Sequence, residues 1–381
     1  MWRNGVLPIS LLSGTIIGAG IFSLPYAFLA AGIWASVALL CVVTSAFLIF
    51  HLLYADIVAR DGDDHRLEGF ARMHAGMPGY VAAIAISVVQ ELFTLTIYLV
   101  LSMSFARLLL GVGWEFTGMV AFWIIGSLAL ISKTRRVALW EAVATASIIL
   151  IVAIVGVWGI HAWGKIAHMA PLLPQNIGTA LIPFGLLLFA FNGRTAISTV
   201  VHYFRFLPIK KRFRLIKKSI IAGTLIPAGV YVIFVFGVVG LSSGAVSQDT
   251  ITGLSRSLPL WFGIVFGALG ILSLVSSYFA IGLDVKNSLR FDVGFSSAGA
   301  IALTFAIPLL LFLLGFQNFI WLVEIVGGFF IGLEGVLMLV LWHRSRKKNN
   351  TSLLHIPFPL IMFVWAVFIA SVCYTVITRI V

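Results

Sequence analysis

The sequence predicts an all-α polytopic membrane protein of eleven transmembrane helices with a cytoplasmic N-terminus, built as two inverted repeats of five spans plus one extra span. Three observations predict it. First, 61% of the 381 residues are hydrophobic and only 10% are charged, with a mean hydropathy of +1.11, whereas in soluble domains about a quarter of residues are charged. Second, the apolar residues fall into eleven segments with no soluble domain between them. Third, the first and sixth segments are interrupted by glycine and proline at corresponding places.

The segments cover 6–31, 33–58, 79–107, 117–132, 137–162, 177–201, 219–241, 259–285, 297–314, 319–342 and 354–378, and roughly 20 apolar residues suffice to cross a bilayer. The first run is too long for a signal peptide and lacks a small-residue cleavage pattern, so it reads as a span. Basic residues set the orientation. With the N-terminus inside, the cytoplasmic side holds twenty Lys and Arg: Arg3, three from Arg60 to Arg72, three from Lys133 to Arg136, seven from Arg205 to Lys218, Lys286, Arg290, and four from Arg344 to Lys348. Lys165, Arg256 and Arg379 fall outside, and Arg107 and Arg194 fall within spans. This asymmetry satisfies the positive-inside rule along the whole chain. The formal charge of +12 is therefore a topology signal and a contact for lipid headgroups, with no nucleic-acid partner expected. Cys41 and Cys373 lie in apolar runs and carry no redox information. After the second span, Asp61, Asp63, Asp64 and Glu68 precede a short cytoplasmic helix expected at Leu67–His74, either a gate element or a solvated connector.

In the first span the run Ser13-Gly14-Thr15-Ile16-Ile17-Gly18-Ala19-Gly20-Ile21-Phe22-Ser23-Leu24-Pro25 holds three glycines within seven positions and a proline five later. An interior glycine costs about 1 kcal/mol relative to alanine, and proline removes a backbone donor. Unpaired backbone is tolerated at membrane depth only where it lines a cavity or meets protein partners, so the helix is expected to break here. The sixth span repeats the anomaly in Ile182-Pro183-Phe184-Gly185 and Phe189-Ala190-Phe191-Asn192-Gly193-Arg194. Paired interruptions in two halves point to a secondary transporter made of internal repeats. Spans one to five (6–162) and six to ten (177–342) are then the repeats, and 354–378 is the addition, all in one transmembrane domain. An odd number of spans per repeat inverts the second.

Helix ends supply the chemistry. A half-helix that begins at a break offers free amides and a positive dipole end, suited to a carboxylate, and one that ends there offers carbonyls, suited to an ammonium group or a cation. A free amino acid carries both groups. Gly18, Ala19 and Gly20 are expected to cradle the carboxylate, with glycine letting the ligand approach the backbone. Carbonyls near Thr15, Ile16, Phe189 and Ala190 would take the ammonium, with Phe191, Asn192 and Gly193 beside them. The alternative is that Gly14 and Gly18 form a GxxxG helix-packing face.

Other spans carry polar positions. Ser87, Glu91, Thr94, Tyr98 and Ser102 form one stripe along the third span. Glu91 near mid-membrane is a candidate for ion coupling: it is a proton carrier, since a carboxyl withdrawn from water favours its neutral form, or the ion-pair partner of Arg194. Tyr98 either closes over the substrate or packs. Glu324 and Glu334 share nearly one face of the tenth span, and Glu334, the deeper, is the second coupling candidate. In the eighth span Ser276 and Ser277, with Ser273, either complete an oxygen cage for sodium with first-span carbonyls or bond within their own helix. The histidines, among them His51, His202 and His343, fall near span ends without metal spacing. With no HExxH, Walker A or GxSxG pattern, neither an enzyme nor an ATP-driven pump is expected, nor any cofactor or metal. The coupling ion is expected to be a proton, with sodium as the alternative.

The run Gly14 to Pro25 closely resembles the first-span signature of bacterial aromatic amino acid permeases, the tryptophan and tyrosine permease group of the amino acid/auxin permease family within the amino acid-polyamine-organocation superfamily. The segment Phe189 to Gly193, and Ser276-Ser277-Tyr278-Phe279 leading to Gly282-Leu283, are similar to that group's sixth and eighth spans. Arg194 departs from the small or neutral residue expected there. The resemblance implies a LeuT-like fold in a prokaryotic plasma membrane and proton-coupled uptake of an aromatic or other neutral amino acid. The rival expectations are sodium-coupled symport, a transporter-fold receptor that binds without transport, and a passive channel.

Overall fold

Helix is the regular structure throughout the described residues, as a chain in lipid requires, because each segment must pair its own backbone groups. The computed structural model describes residues 3–61, 66–130, 137–160, 171–242, 246–254, 259–349 and 356–380. Asp63, Asp64, Lys133, Arg135, Arg136, Lys165 and Arg256 lie outside them. In chain order the first elements are α1 (Arg3–Ile16), a 3₁₀ turn (Ala19–Ser23), α2 (Leu24–Ala31), α3 (Ile33–Asp61), α4 (Leu67–Leu110), α5 (Glu115–Ala129) and α6 (Val137–Ile160). The second half holds α7 (Ile177–Ala180), α8 (Pro183–Ala190), α9 (Arg194–Tyr203), α10 (Ile209–Leu241), α11 (Ile251–Leu254), α12 (Leu260–Asn287), α13 (Ser297–Leu313), α14 (Phe319–Glu324), α15 (Ile331–Asn349) and α16 (Phe358–Thr375).

Among the described residues seven helical stretches are long and apolar enough to cross a membrane, and the bent pair Gly5–Ile16 and Ala19–Ala31 makes an eighth. The fourth, fifth and ninth apolar segments form the shorter apolar helices Glu115–Leu128, Thr145–Gly159 and Ser297–Leu313. Every apolar segment read from the sequence is thus helical. The short helix expected at Leu67–His74 and the third span run together in α4, separated by Gly76 at φ 67° and ψ −162°, a left-handed conformation that glycine adopts without steric cost. That short helix is docked rather than solvated. Leu67, Phe70 and Ala71 are buried, and His74 Nε2 lies 2.7 Å from Asp61 Oδ2 at the end of α3, which also accepts from Ser345 of α15 at 2.8 Å.

The interrupted segments lie against one another: α1 packs on α9, and α2 packs on α8. The half entering the first break therefore meets the half leaving the sixth, so the two spans run antiparallel. The helix α10 packs along α1 and α6, and α12 along α4 and α6. Over the α2 half, Thr250 Oγ1 donates to Phe22 O at 2.6 Å. The Phe22 ring sits edge-on to Phe105, Phe234 and Phe266 at 5.4, 5.9 and 6.3 Å, which closes that side with aromatic packing.

Candidate functional site

The first break is a property of three residues. The Ile17 and Gly18 amides turn back to Ser13 O and Ile16 O, each at 2.8 Å. Gly18 then extends (φ −116°, ψ −154°), and the chain resumes as a 3₁₀ turn bent by 46° from α1. The sixth segment breaks after Ala190. Phe191 N–H donates to Leu187 O at 2.9 Å and Asn192 N–H to Phe189 O at 3.3 Å, and α9 restarts at Arg194.

The glycines divide by role. A Cβ on Gly20 would sit 2.7 Å from Ala190 Cα, and one on Gly193 would sit 2.5 Å from Ile16 Cγ1. Both are there because the two interrupted segments touch closely, Gly20 against the Ala190 backbone and Gly193 against the Ile16 side chain. The Cα of Gly20 is therefore packed against Ala190, while its amide stands at the start of the 3₁₀ turn. A Cβ on Gly18 would meet only Thr15 O, at 4.0 Å, so Gly18 borders open space. A Cβ on Gly14 would press on Thr145 of α6, so one of the two GxxxG glycines packs and the other does not.

The carboxylate cradle is reduced by one donor, because the Gly18 amide is spent on Ile16. Ala19 and Gly20 open the 3₁₀ turn, where the first amides have no intrahelical acceptor. Thr15, Gly18, Phe189 and Asn192 are partly exposed and mark the accessible side of the breaks. The Thr15 hydroxyl is turned to its own helix, donating to Leu11 O at 2.9 Å. Phe191 is fully buried, edge-on to Tyr231 at 5.2 Å and near Phe47 at 6.0 Å, so it packs.

Sequence reasoning missed Tyr231. Its hydroxyl lies 2.8 Å from Ile16 O and 2.6 Å from Ala190 O, two carbonyls offered above to an ammonium group. The only advance signal was a lone tyrosine in an apolar helix, whose O–H needs a partner once buried.

The coupling candidates separate into two groups. Arg194, at the start of α9, forms a buried ion pair with Glu334 of α15, with Gln90 of α4 nearby. The expectation that Glu91 pairs directly with Arg194 is therefore corrected. The carboxyl of Glu91 is near Asp284 of α12, with Arg194 and Glu68 also in its electrostatic surroundings, and Glu91 Oε2 has no hydrogen-bond partner among the described residues. Asp284 is held by Arg66 Nη1 at 2.9 Å. Tyr98 lies beside Ser277, so α4 and α12 run antiparallel here, with Glu91 near Asp284 and Tyr98 near Ser277. Ser277 thus faces Tyr98, and Ser276 is buried in the same helix. Glu324 faces away from Glu334 and pairs with Arg379 at 2.5 Å. A π-helical turn at Ile325–Phe330 separates the two glutamates and rotates them apart. His51 is not near a span end, as expected, but fully buried within α3, with Nδ1 3.1 Å from Thr224 Oγ1.

Residues 7–243, more than half of the chain, match the protein family described as transmembrane amino acid transporter protein. A comparison with curated protein sequences gave no match. Among solved structures, the chain is similar to Mhp1, a nucleobase-cation-symport-1 family transporter in a closed conformation with bromovinylhydantoin bound, at a TM-score of 0.62 and 15% identity, covering 98% of this chain and 93% of that one. It is also similar to MhsT in complex with L-phenylalanine, at a TM-score of 0.62 and 14% identity, covering 97% and 96%. These likenesses show an all-helical membrane protein with the LeuT-like fold.

Proposed function

Since the chain belongs to the transmembrane amino acid transporter family, we propose that it is a secondary active symporter carrying an aromatic or other neutral amino acid together with a proton across a prokaryotic plasma membrane. It works by alternating access, with eleven spans arranged as the inverted repeats 6–162 and 177–342 plus 354–378. The observation that carries this reading is the contact of two interrupted helices, with the opening amides of the 3₁₀ turn on one side of the break and carbonyls on the other. A substrate carboxylate accepts from Ala19 and Gly20, whose amides also carry the positive end of the helix that follows. The ammonium group is left with the carbonyls on the accessible side, near Thr15 and Phe189. Tyr98 and Asn192 border the side chain. The phenylalanine bound to MhsT in a similar fold supports an aromatic or neutral substrate.

Glu91 is the proton carrier in this reading. It is an ionisable group within a span, next to Asp284 of α12, which is itself held by Arg66, and such a group is a candidate for carrying the coupled charge. Arg194 and Glu334 neutralise each other in a buried pair and act as a clamp between α9 and α15. Uptake of radiolabelled amino acids into proteoliposomes tests the proposal. An inward proton gradient should drive saturable accumulation that a protonophore abolishes. Binding without accumulation would make the protein a receptor, non-saturating flux would make it a channel, and accumulation driven only by sodium would replace the coupling ion.

A further inference from the structure

Two backbone carbonyls from different interrupted helices converge on one hydroxyl. Ile16 ends α1 and Ala190 ends α8, so both carbonyls lie at a helix C-terminus and carry its negative dipole end, and Ile16 O also accepts from the Gly18 amide at 2.8 Å. Oxygens of this kind, aimed at one point from two sides, repel each other across it and are of the type that contributes to the oxygen shell of a hard cation. Here the point is filled by Tyr231 Oη, 2.8 Å from one and 2.6 Å from the other. A phenol supplies a single proton and no net charge, but it is permanent.

Tyr231 is not free to leave. Its side chain is fully buried, its ring is edge-on to Phe191 at 5.2 Å, and its helix is fixed against α1 at Gly223, where a Cβ would stand 2.8 Å from Leu12 Cδ2. Ser13 Oγ adds a contact to Gly223 O at 3.4 Å.

We infer that the Tyr231 hydroxyl is a built-in neutral stand-in for a cation, holding the two breaks together where a sodium ion would otherwise bridge them, so that amino acid binding needs no metal ion at that point. The inference rests on the breaks being the amino acid site. It also withdraws Ile16 O and Ala190 O from the substrate.

The test uses the purified full-length protein and titration calorimetry with a panel of aromatic and neutral amino acids, in sodium chloride and in choline chloride. Wild type should bind with the same Kd in both salts. Tyr231→Phe keeps the ring and removes the donor, so its affinity in choline should fall about tenfold. Sodium should restore most of that loss, because the freed carbonyls then accept an ion. Sodium-dependent binding by wild type overturns the inference while leaving the amino acid site in place, and this comparison decides the matter even if the variant fails to purify. A variant that binds like wild type, or a loss that sodium does not repair, also overturns it. Wild type that binds no amino acid in either salt removes the site and the inference together.

Discussion

Breaking the Arg194–Glu334 pair should cost far more than replacing it. Arg194 is 5% exposed and Glu334 1% exposed, and the pair joins α9 to α15. Removing one partner of such a pair strands the other as a buried charge, at a cost of about 3–5 kcal/mol. Arg194→Met and Glu334→Leu should each lose roughly that much, whereas the double variant, with apolar groups of similar volume, should lie within about 1 kcal/mol of wild type. The coupling energy of the cycle is then about 5 kcal/mol or more. At about 2 °C per kcal/mol for a large chain, thermal unfolding in detergent should show each single variant melting roughly 6–10 °C low and the double variant near wild type. Single variants that melt within a degree of wild type, or losses that simply add, would refute the buried-clamp argument. Transport by the double variant carries a second reading: retained pH dependence leaves Glu91 as the carrier, while its loss would place coupling on the pair.

Gly18→Ala and Gly20→Ala should differ in kind. The first adds a methyl to open space at the accessible side of the break, so the protein should fold with an unchanged melting temperature and bind amino acid more weakly. The second drives a methyl into the Ala190 backbone 2.7 Å away, so it should be destabilised by about 1–3 kcal/mol, read as a lower melting temperature before any ligand is added. Glu91→Gln should leave the fold intact and flatten the dependence of uptake on external pH. Wild-type uptake should rise as external pH falls, because the carrier loads its proton from outside, and a variant that keeps this slope would dismiss Glu91.

What was legible in the sequence was what depends on backbone alone. Glycine and proline within an apolar run weaken a helix wherever it packs, so the interruptions near Gly18 and Asn192 could be placed without coordinates. Apolar length did the same for the eleven helical segments. What depends on register between helices was not legible. Glu91 and Arg194 looked like natural partners because they were ionisable groups in two apolar spans, yet the antiparallel fit of α4 on α12 sets Glu91 beside Asp284 and Tyr98 beside Ser277. Gly20 reads in sequence like Gly18, and only the approach of Ala190 separates a packing glycine from an open one. The π-helical turn at Ile325–Phe330 has no periodic signature, and it is what sends Glu324 to Arg379 and Glu334 to Arg194. Tyr231 was invisible because its two acceptors lie 215 and 41 residues away.

The most direct measurement is an experimental density map of the protein with its amino acid bound. The account predicts two helices interrupted at 17–18 and 191–193, with the substrate carboxylate in hydrogen-bond reach of the Ala19 and Gly20 amides and its ammonium group toward Thr15 and Phe189. Continuous first and sixth helices, or ligand density away from both breaks, would contradict it.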